Sequence, residues 1–184
     1  QAQENISQAI GAMSEADTAL TQMQGIILNM KLLAQQAAPD TMSIDERKAI
    51  EYEIQQYAQE IDDIAANTNW NGKNLLNDKL DWTLQVGESY NDTLKFQLAS
   101  NNEEGRSKGF NTEGLNLQNL ESTSYDKVVD TWSRLNEAEQ VILSAQQRIG
   151  ANINRISLKA DALNSAETNT ITALSQIQDT DIAL

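Results

Sequence analysis

Three groups of side chains in this sequence are of types that do chemistry. Asp179 and Asp181 stand two residues apart near the carboxyl end, and a carboxylate pair is the equipment of acid–base catalysis or of a hard-cation site. They lie on adjacent helix faces with no third ligand nearby, so a solvated or interface role is the stronger reading. Glu103 and Glu104 read the same way. Arg148, Asn154 and Arg155 are more informative: in an acidic chain, Arg148 and Arg155 sit seven residues apart and therefore share one helix face. Two roles are open to them. One is pairing with Asp or Glu inside the same helix or bundle, worth about 0–1 kcal/mol when exposed. The other is contact with an acidic patch on a neighbouring subunit, where a desolvated guanidinium fork counts for more. No P-loop, nucleotide fingerprint, nucleophile elbow or HExxH motif occurs. The expectation is a protein with no catalytic residues, cofactor or metal site.

Composition narrows the class further. The 184 residues carry 13 Lys and Arg against 27 Asp and Glu, a formal net charge of −14. A phosphate backbone would be repelled, so nucleic acid is not an expected partner. No apolar run approaches the roughly 20 residues that cross a bilayer, so no membrane association is expected. The absence of Cys removes disulfides and thiolate sites, and the absence of His removes the commonest general base. Gln1 falls in the middle of a helical pattern with no charged and apolar leader before it, so no signal peptide is expected. Leu184 ends without a cap, and both ends read as cut, as in an excised piece.

Whatever these side chains do, long helices must position them. From Gln1 onward one heptad position carries Ala2, Ala9, Ala16, Met23, Met30 and Ala37, and the other Ile6, Met13, Leu20, Ile27 and Ala34. Alternating steps of four and three keep one stripe facing a partner helix. Such an element spans on the order of 55 Å, and Pro39 stops it. Ser43-Ile44-Asp45-Glu46 reads as a capping box opening a second helix, whose Ile50, Ile54, Tyr57, Ile61 and Ile64 repeat the spacing and whose end is marked by the Asn71-Gly72 turn. Leu80, Trp82, Leu84 and Val86 then alternate, as do Leu94, Phe96 and Leu98, predicting a β-hairpin turned at residues 87–92. Residues 101–114 are polar and predict an exposed loop, which Leu115, Leu117 and Leu120 dock back. Ser122, Thr123 or Ser124 caps a last helix of about 85 Å, with Leu135, Ile142, Ile149, Ile156, Leu163 and Ile177 in register and Thr170 as a lapse. The fold class is mainly α: an elongated antiparallel bundle of three long coiled-coil-like helices, at about 1–38, 43–67 and 124–184. A small β-hairpin region and loop occupy about 80–120, all in one rod-shaped domain. The last helix is long enough to make a three-helix bundle in part and a helix pair elsewhere.

Four stretches also resemble bacterial flagellin, in that family's order. Met30-Lys31-Leu32-Leu33-Ala34-Gln35-Gln36-Ala37 resembles its R/K-x-L-A-x-Q-A/S-A stretch. Asn71-Gly72-Lys73-Asn74-Leu75-Leu76 is similar to F-N-G-x-x-L-L, with Trp70 for Phe, and Leu84-Gln85-Val86-Gly87 to L-Q-V-G. Near the carboxyl end, Gly150-Ala151-Asn152-Ile153-Asn154-Arg155-Ile156 and residues 175–183 resemble G-A-x-x-N-R-hydrophobe and S-x-I-x-D-x-D-x-A. Each is weak alone; in order around the right helices they are strong.

The resemblance implies the rod domain of a flagellin without the terminal helices that line the filament core, and without large outer domains. It implies a structural, motility role: subunits exported unfolded by the flagellar type III system, assisted by a chaperone and by cap and junction proteins. Outside the cell they polymerise into a hollow helical tube. The segment alone is expected to be soluble and monomeric. Subunit-contact candidates are Arg148, Asn154, Arg155, Asp179 and Asp181. The family's contacts with the vertebrate Toll-like receptor 5 fall at Asn29, Leu33, Glu53, Leu135 and Arg155. At Asn29 recognised members carry Arg, a charge and packing stem lost here, so the resemblance implies weak or absent activation. Two other readings compete. A hook–filament junction protein shares the rod but carries a larger second domain and a weaker carboxy-terminal signature. A secreted helical adaptor or receptor-binding module explains the heptads and acidity, but not Asn71–Leu76 or Leu84–Gly87.

Overall fold

The amino-terminal ladder forms helix α1, Ala2–Ala37, in a computed structural model that describes residues 2–77, 81–85, 93–97 and 109–182. Ile6, Ala9, Met13, Ala16, Leu20, Met23, Ile27, Met30, Ala34 and Ala37 are all buried. Ala12 and Ala19 are buried as well, off both ladder positions, because α1 packs against two long helices at once. Small side chains at those extra positions let the second helix approach closely.

Past Pro39 the chain turns, the Met42 N–H donating to the Pro39 carbonyl at 3.1 Å. Helix α2, Ile44–Asn67, opens on a complete capping box: Ser43 Oγ accepts from the Glu46 N–H, and Glu46 Oε2 accepts from the Ser43 N–H at 2.9 Å. Ile50, Ile54 and Ile61 are buried, with Tyr57 and Ile64 half-buried on the flanks. Arg47 is buried too, its Nη2 donating to the Pro39 carbonyl at 2.9 Å and so tying α2 to the turn.

After α2 the chain makes a ribbon that the sequence reading saw only as a turn. Strands β1 (Asn69–Trp70) and β2 (Lys73–Asn74) pair antiparallel around Asn71 and Gly72, whose φ values are 48° and 77°. Two successive positive φ angles are what a type I′ turn needs, and Asn-Gly tolerates them best. The ribbon lays the Trp70 ring on α1 at Gly11, where an added Cβ would stand 2.7 Å from the ring carbon Cη2. Gly11 therefore weakens the helix locally but makes room for the indole.

Strands β3 (Asp81–Gln85) and β4 (Thr93–Gln97) form a second antiparallel ribbon, in register from Asp81↔Gln97 to Gln85↔Thr93, and β3 runs beside α1. The predicted strand ends Leu80, Val86 and Leu98, the 87–92 turn and residues 101–108 lie outside the described residues. The expected exposed loop over 101–114 is corrected in its described part. Phe110 is fully buried, its N–H donating to the Leu76 carbonyl at 2.7 Å. Thr112 is buried where the Asp62 carboxylate accepts from its N–H at 2.7 Å and from its hydroxyl at 2.9 Å. One aromatic and one clasping acid outweigh the local polarity, because the strand end near Leu76 and the α2 surface offer matching partners. Leu115, Leu117 and Leu120 then join the core.

Ser124 caps helix α3, Tyr125–Ile182, its hydroxyl accepting from the Lys127 N–H at 3.4 Å. Leu135, Ile142, Ile149 and Ile156 are buried, and α3 runs antiparallel to α1. The register is marked by Lys31–Glu139 at 2.9 Å, Gln146–Thr21 at 3.0 Å and the Gln3–Asn164 pair. The fold is thus mainly helical, three long helices plus two small ribbons. α2 and α3 both flank α1 at one end, α1 and α3 continue as a pair, and α3 runs on. Residues 161–176 are exposed apart from the half-buried Leu163.

Candidate functional site

An exposed basic stripe lies along α3. Arg148 and Arg155, seven residues apart, are both exposed, as is Asn154 beside them. Asn152 ties the stripe together: its side-chain amide donates to the Arg148 carbonyl at 2.9 Å, and its Oδ1 accepts from Arg155 Nη1 at 3.4 Å. Lys159, one turn past Arg155 and also exposed, extends the stripe. Sequence reading passed over it, although its four-residue spacing from Arg155 was the available signal. The positions three and four residues from Arg155 hold Ala151, Asn152, Leu158 and Lys159, none of them acidic. Intrahelical pairing is therefore not available to Arg155. Among the described residues neither Arg155 nor Lys159 has a carboxylate at ion-pair distance, whereas Lys31, Lys127 and Arg134 do.

A second cluster joins α1 to α3. Lys31 Nζ lies 2.9 Å from Glu139 Oε2 and 5.1 Å from the centre of the Trp132 ring, so one ammonium is held by an ion pair and a cation–π contact together. Lys31 was quoted above only as part of a helix motif; its partners lie a hundred residues away, where local spacing is silent. Arg134 is held differently. Its guanidinium donates to the Asn116 and Gln118 carbonyls at 2.8 and 2.5 Å, which pins the segment before α3 to the helix.

The five receptor-contact positions do not gather into one patch. Asn29 and Glu53 are exposed, and Leu33 is half-buried against the core. Leu135 is fully buried and offers no surface to any partner; it is a ladder residue. Arg155 is exposed, but α3 rises about 24 Å between Glu139, which faces Lys31, and Arg155. Asp179 and Asp181 lie in the last turns of α3, their side chains outside the described residues, as are Glu103 and Glu104. Among the described residues no three His, Cys, Asp or Glu stand together as metal ligands would, and no helix is long and apolar enough to cross a membrane.

With that geometry in view, comparison with known proteins is informative. Residues 1–81 match the profile of the bacterial flagellin N-terminal helical region. The flagellin of Listeria innocua serovar 6a is 27% identical in an alignment that takes in 99% of this chain. The chain spans 66% of that relative's length. Among solved structures, Bacillus cereus flagellin superposes with a TM-score of 0.72 and 25% identity, over 93% of this chain and 94% of that one. A putative flagellar hook-associated protein from Vibrio parahaemolyticus has the same fold, with a TM-score of 0.70 at 14% identity, over 94% of this chain and 89% of that one.

Proposed function

Because the chain belongs to the bacterial flagellin family, we propose that it is the rod segment of a flagellar filament subunit, which polymerises side by side into a hollow helical tube for motility. The observation that carries this is the match to Bacillus cereus flagellin along nearly the whole of both chains. The physics agrees. Three long helices on an aliphatic core make a stiff rod, and distinct contact surfaces that do not close on themselves generate helical fibres. The role is architectural. The stripe of Arg148, Arg155 and Lys159, with Asn154 beside it, meets an acidic surface of the next subunit, and in a chain of net charge −14 such surfaces are plentiful. Desolvating an Arg fork between two rods yields more than leaving it in water. Asp179 and Asp181 are retained as contact candidates on the same reading.

The location that follows is the extracellular filament, reached through the flagellar export system with its chaperone and joined there by cap and junction proteins. Recognition by Toll-like receptor 5 is expected to be weak or absent, since Asn29 stands where an Arg is wanted; nanomolar binding in a titration of receptor ectodomain would overturn this. Electron microscopy tests the main proposal. After salt-induced assembly the full-length parent protein is expected to give long uniform hollow tubes, and this 184-residue segment none. A second reading, hook–filament junction protein, draws support from the Vibrio structure, which matches almost as well in shape. A parent that never elongates alone but caps pre-formed hooks would favour it.

A further inference from the structure

The ribbon after α2 turns on the chain's one Asn-Gly pair, and that pair sits where its own chemistry is least restrained. An asparagine carboxamide can be attacked by the main-chain nitrogen of the residue that follows it, and a glycine there leaves the approach open because it has no Cβ. Asn71 and Gly72 are both exposed, and nothing stands within 4 Å of the place a Gly72 Cβ would take. Among the described residues no hydrogen bond engages the Asn71 carboxamide or the Gly72 N–H. Other asparagines are tied down. Asn69, Asn74 and Asn152 donate to main-chain carbonyls at 2.9, 2.8 and 2.9 Å. After Asn67, Asn74, Asn111 and Asn116, the following N–H donates to the Ile64 carbonyl, the Thr68 carbonyl, the Asp62 carboxylate and the Thr112 carbonyl in turn. Asn119 is the instructive exception. It is exposed and has φ 51° against 48° for Asn71, but its follower is Leu120, a buried side chain with a Cβ.

We propose that Asn71 is a site of spontaneous covalent modification, at which the carboxamide is lost and the turn comes to carry an aspartyl or isoaspartyl link. The Gly72 nitrogen gives up its proton to solvent and attacks Cγ of Asn71. The new N–Cγ bond forms as the Cγ–Nδ2 bond breaks, and Nδ2 leaves with a proton as ammonia. Water then opens the cyclic imide at one of its two carbonyls. Opening at Cγ restores the normal main chain with a side-chain carboxylate; opening at the main-chain carbonyl leaves the chain running through Cγ, one methylene longer. Nothing is oxidised or reduced: one water is consumed and one ammonia released. The ribbon permits the approach because each of its strands is two residues long, and so short a ribbon opens at little cost. The two products differ in consequence. Aspartate tolerates positive φ much as asparagine does, and exposed Lys73 stands nearby to receive its charge. The isoaspartyl link puts an extra methylene into a two-residue turn, out of step with the Trp70↔Lys73 pair. Trp70 then loses its seat on Gly11, and the Leu75 N–H its bond to the Thr68 carbonyl at 2.8 Å. The rod loosens where the ribbon meets α1, and either product deepens the net charge of −14 by one. The chemistry is the same whether or not the rod polymerises.

The test uses the full-length parent protein, folded and kept warm in mildly alkaline water enriched in heavy oxygen. Peptide mapping by mass spectrometry is expected to find amide loss with label uptake at Asn71 at least about tenfold faster than at Asn119, the difference being the side chain that follows. A methyltransferase specific for isoaspartate identifies the longer link. Gly72→Ala, which sets a Cβ beside the attacking nitrogen, is expected to slow the loss at least about fivefold. That substitution also strains a turn whose φ is 77°, so the wild type supplies a second readout. In aged wild-type protein, molecules with the isoaspartyl link are expected to lose hydrogen-exchange protection at Leu75 and over residues 9–13, while freshly made Asn71→Asp keeps it. Equal rates at Asn71 and Asn119, or loss at Asn71 that appears only in denaturant, overturns the proposal. Full protection around Trp70 in the isoaspartyl molecules overturns the loosening and leaves the modification standing.

Discussion

Helix α3 offers its own comparison. Between Leu135 and Ile156 its seven-residue ladder is buried against α1; between 161 and 176 the same helix continues with Leu163 half-buried, Thr170 exposed, and Ile171 and Leu174 at 60% and 56% exposure. Helical conformation is common to both halves, but in the second, packing on the core is limited to its start, at Leu163 and the Gln3–Asn164 pair. The difference teaches what a heptad repeat does and does not carry. It states which face of a helix is apolar. It does not state where along the chain a partner lies; among the described residues, the α1–α3 hydrogen bonds reach as far along α3 as Asn164, which pairs with Gln3.

The strongest way to break that comparison is to truncate one residue in each half. Ile142→Ala removes a fully buried side chain from the α1–α3 seam and is expected to cost about 2–5 kcal/mol, cavity included. Leu174→Ala is expected to stay within about 0.5 kcal/mol, as surface substitutions do. Denaturant midpoints measured at constant slope decide it. Equal losses at the two sites would mean that the far half of α3 is packed in solution after all.

A smaller but still large effect is expected where the segment before α3 collars the packed half. At Gly114 an added Cβ would lie 1.8 Å from the Gly109 carbonyl oxygen, a backbone atom with no room to retreat. Gly114→Ala must therefore shift the chain that carries Phe110 and Leu115, and a cost of about 1–3 kcal/mol is expected, as for other overpacked sites. The sharper readout is hydrogen exchange: amides of residues 128–142 should open faster in the variant, while those of 165–176, already exposed on an unpaired helix, should not change. Acceleration in both halves alike would show that α3 opens as one unit.

The parts that were legible in sequence are those in which spacing along one helix decides the outcome. The α1 ladder, the Ser43–Glu46 box and the Asn71–Gly72 turn all depend on neighbours within a few residues, and helix and turn geometry brings those neighbours together automatically. What was not legible depends on partners brought together by the fold. Phe110 looked like one aromatic in a polar loop, and nothing local ties it to Leu76. Lys31 looked like a motif letter, although Trp132 and Glu139 decide its environment. Of the candidate site, heptad spacing in an acidic chain singles out Arg148 and Arg155, and the structure leaves both exposed on α3, with Asn154 exposed beside them. Lys159 was missed and Leu135 was read as both core and contact, which burial excludes.

The clasp on Thr112 sharpens the same point at intermediate size. Asp62 accepts two hydrogen bonds from Thr112 with its two carboxylate oxygens, and Asp62→Ala removes both acceptors. A buried Thr112 group then loses its partner, with an expected cost of about 1–3 kcal/mol. Asp62→Ala in a Thr112→Val background should cost less than in the wild type, because the hydroxyl that needed the acid is gone; strict additivity of the two changes would mean that the clasp carries no coupling energy.

The smallest effect is expected at the α2 amino terminus, in the packed half but wholly at the surface. The Ser43 N–H and hydroxyl both donate to the Glu46 carboxylate, and these bonds hold its pKa below the ordinary glutamate value. A lowered folded-state pKa contributes stability that is fully present above the unfolded value and is lost as pH falls through the folded one. Glu46→Gln keeps a side chain that can reach back to the cap but removes the charge. The wild type should therefore be slightly the more stable at pH 7, and the gap should close as pH falls through the carboxylate range. Because the group is exposed, solvent screens the interaction and the gap is small, so paired denaturation curves at several pH values are needed. A gap that stays constant from pH 7 down to about 3 would locate the difference in side-chain shape rather than in the ionised carboxylate.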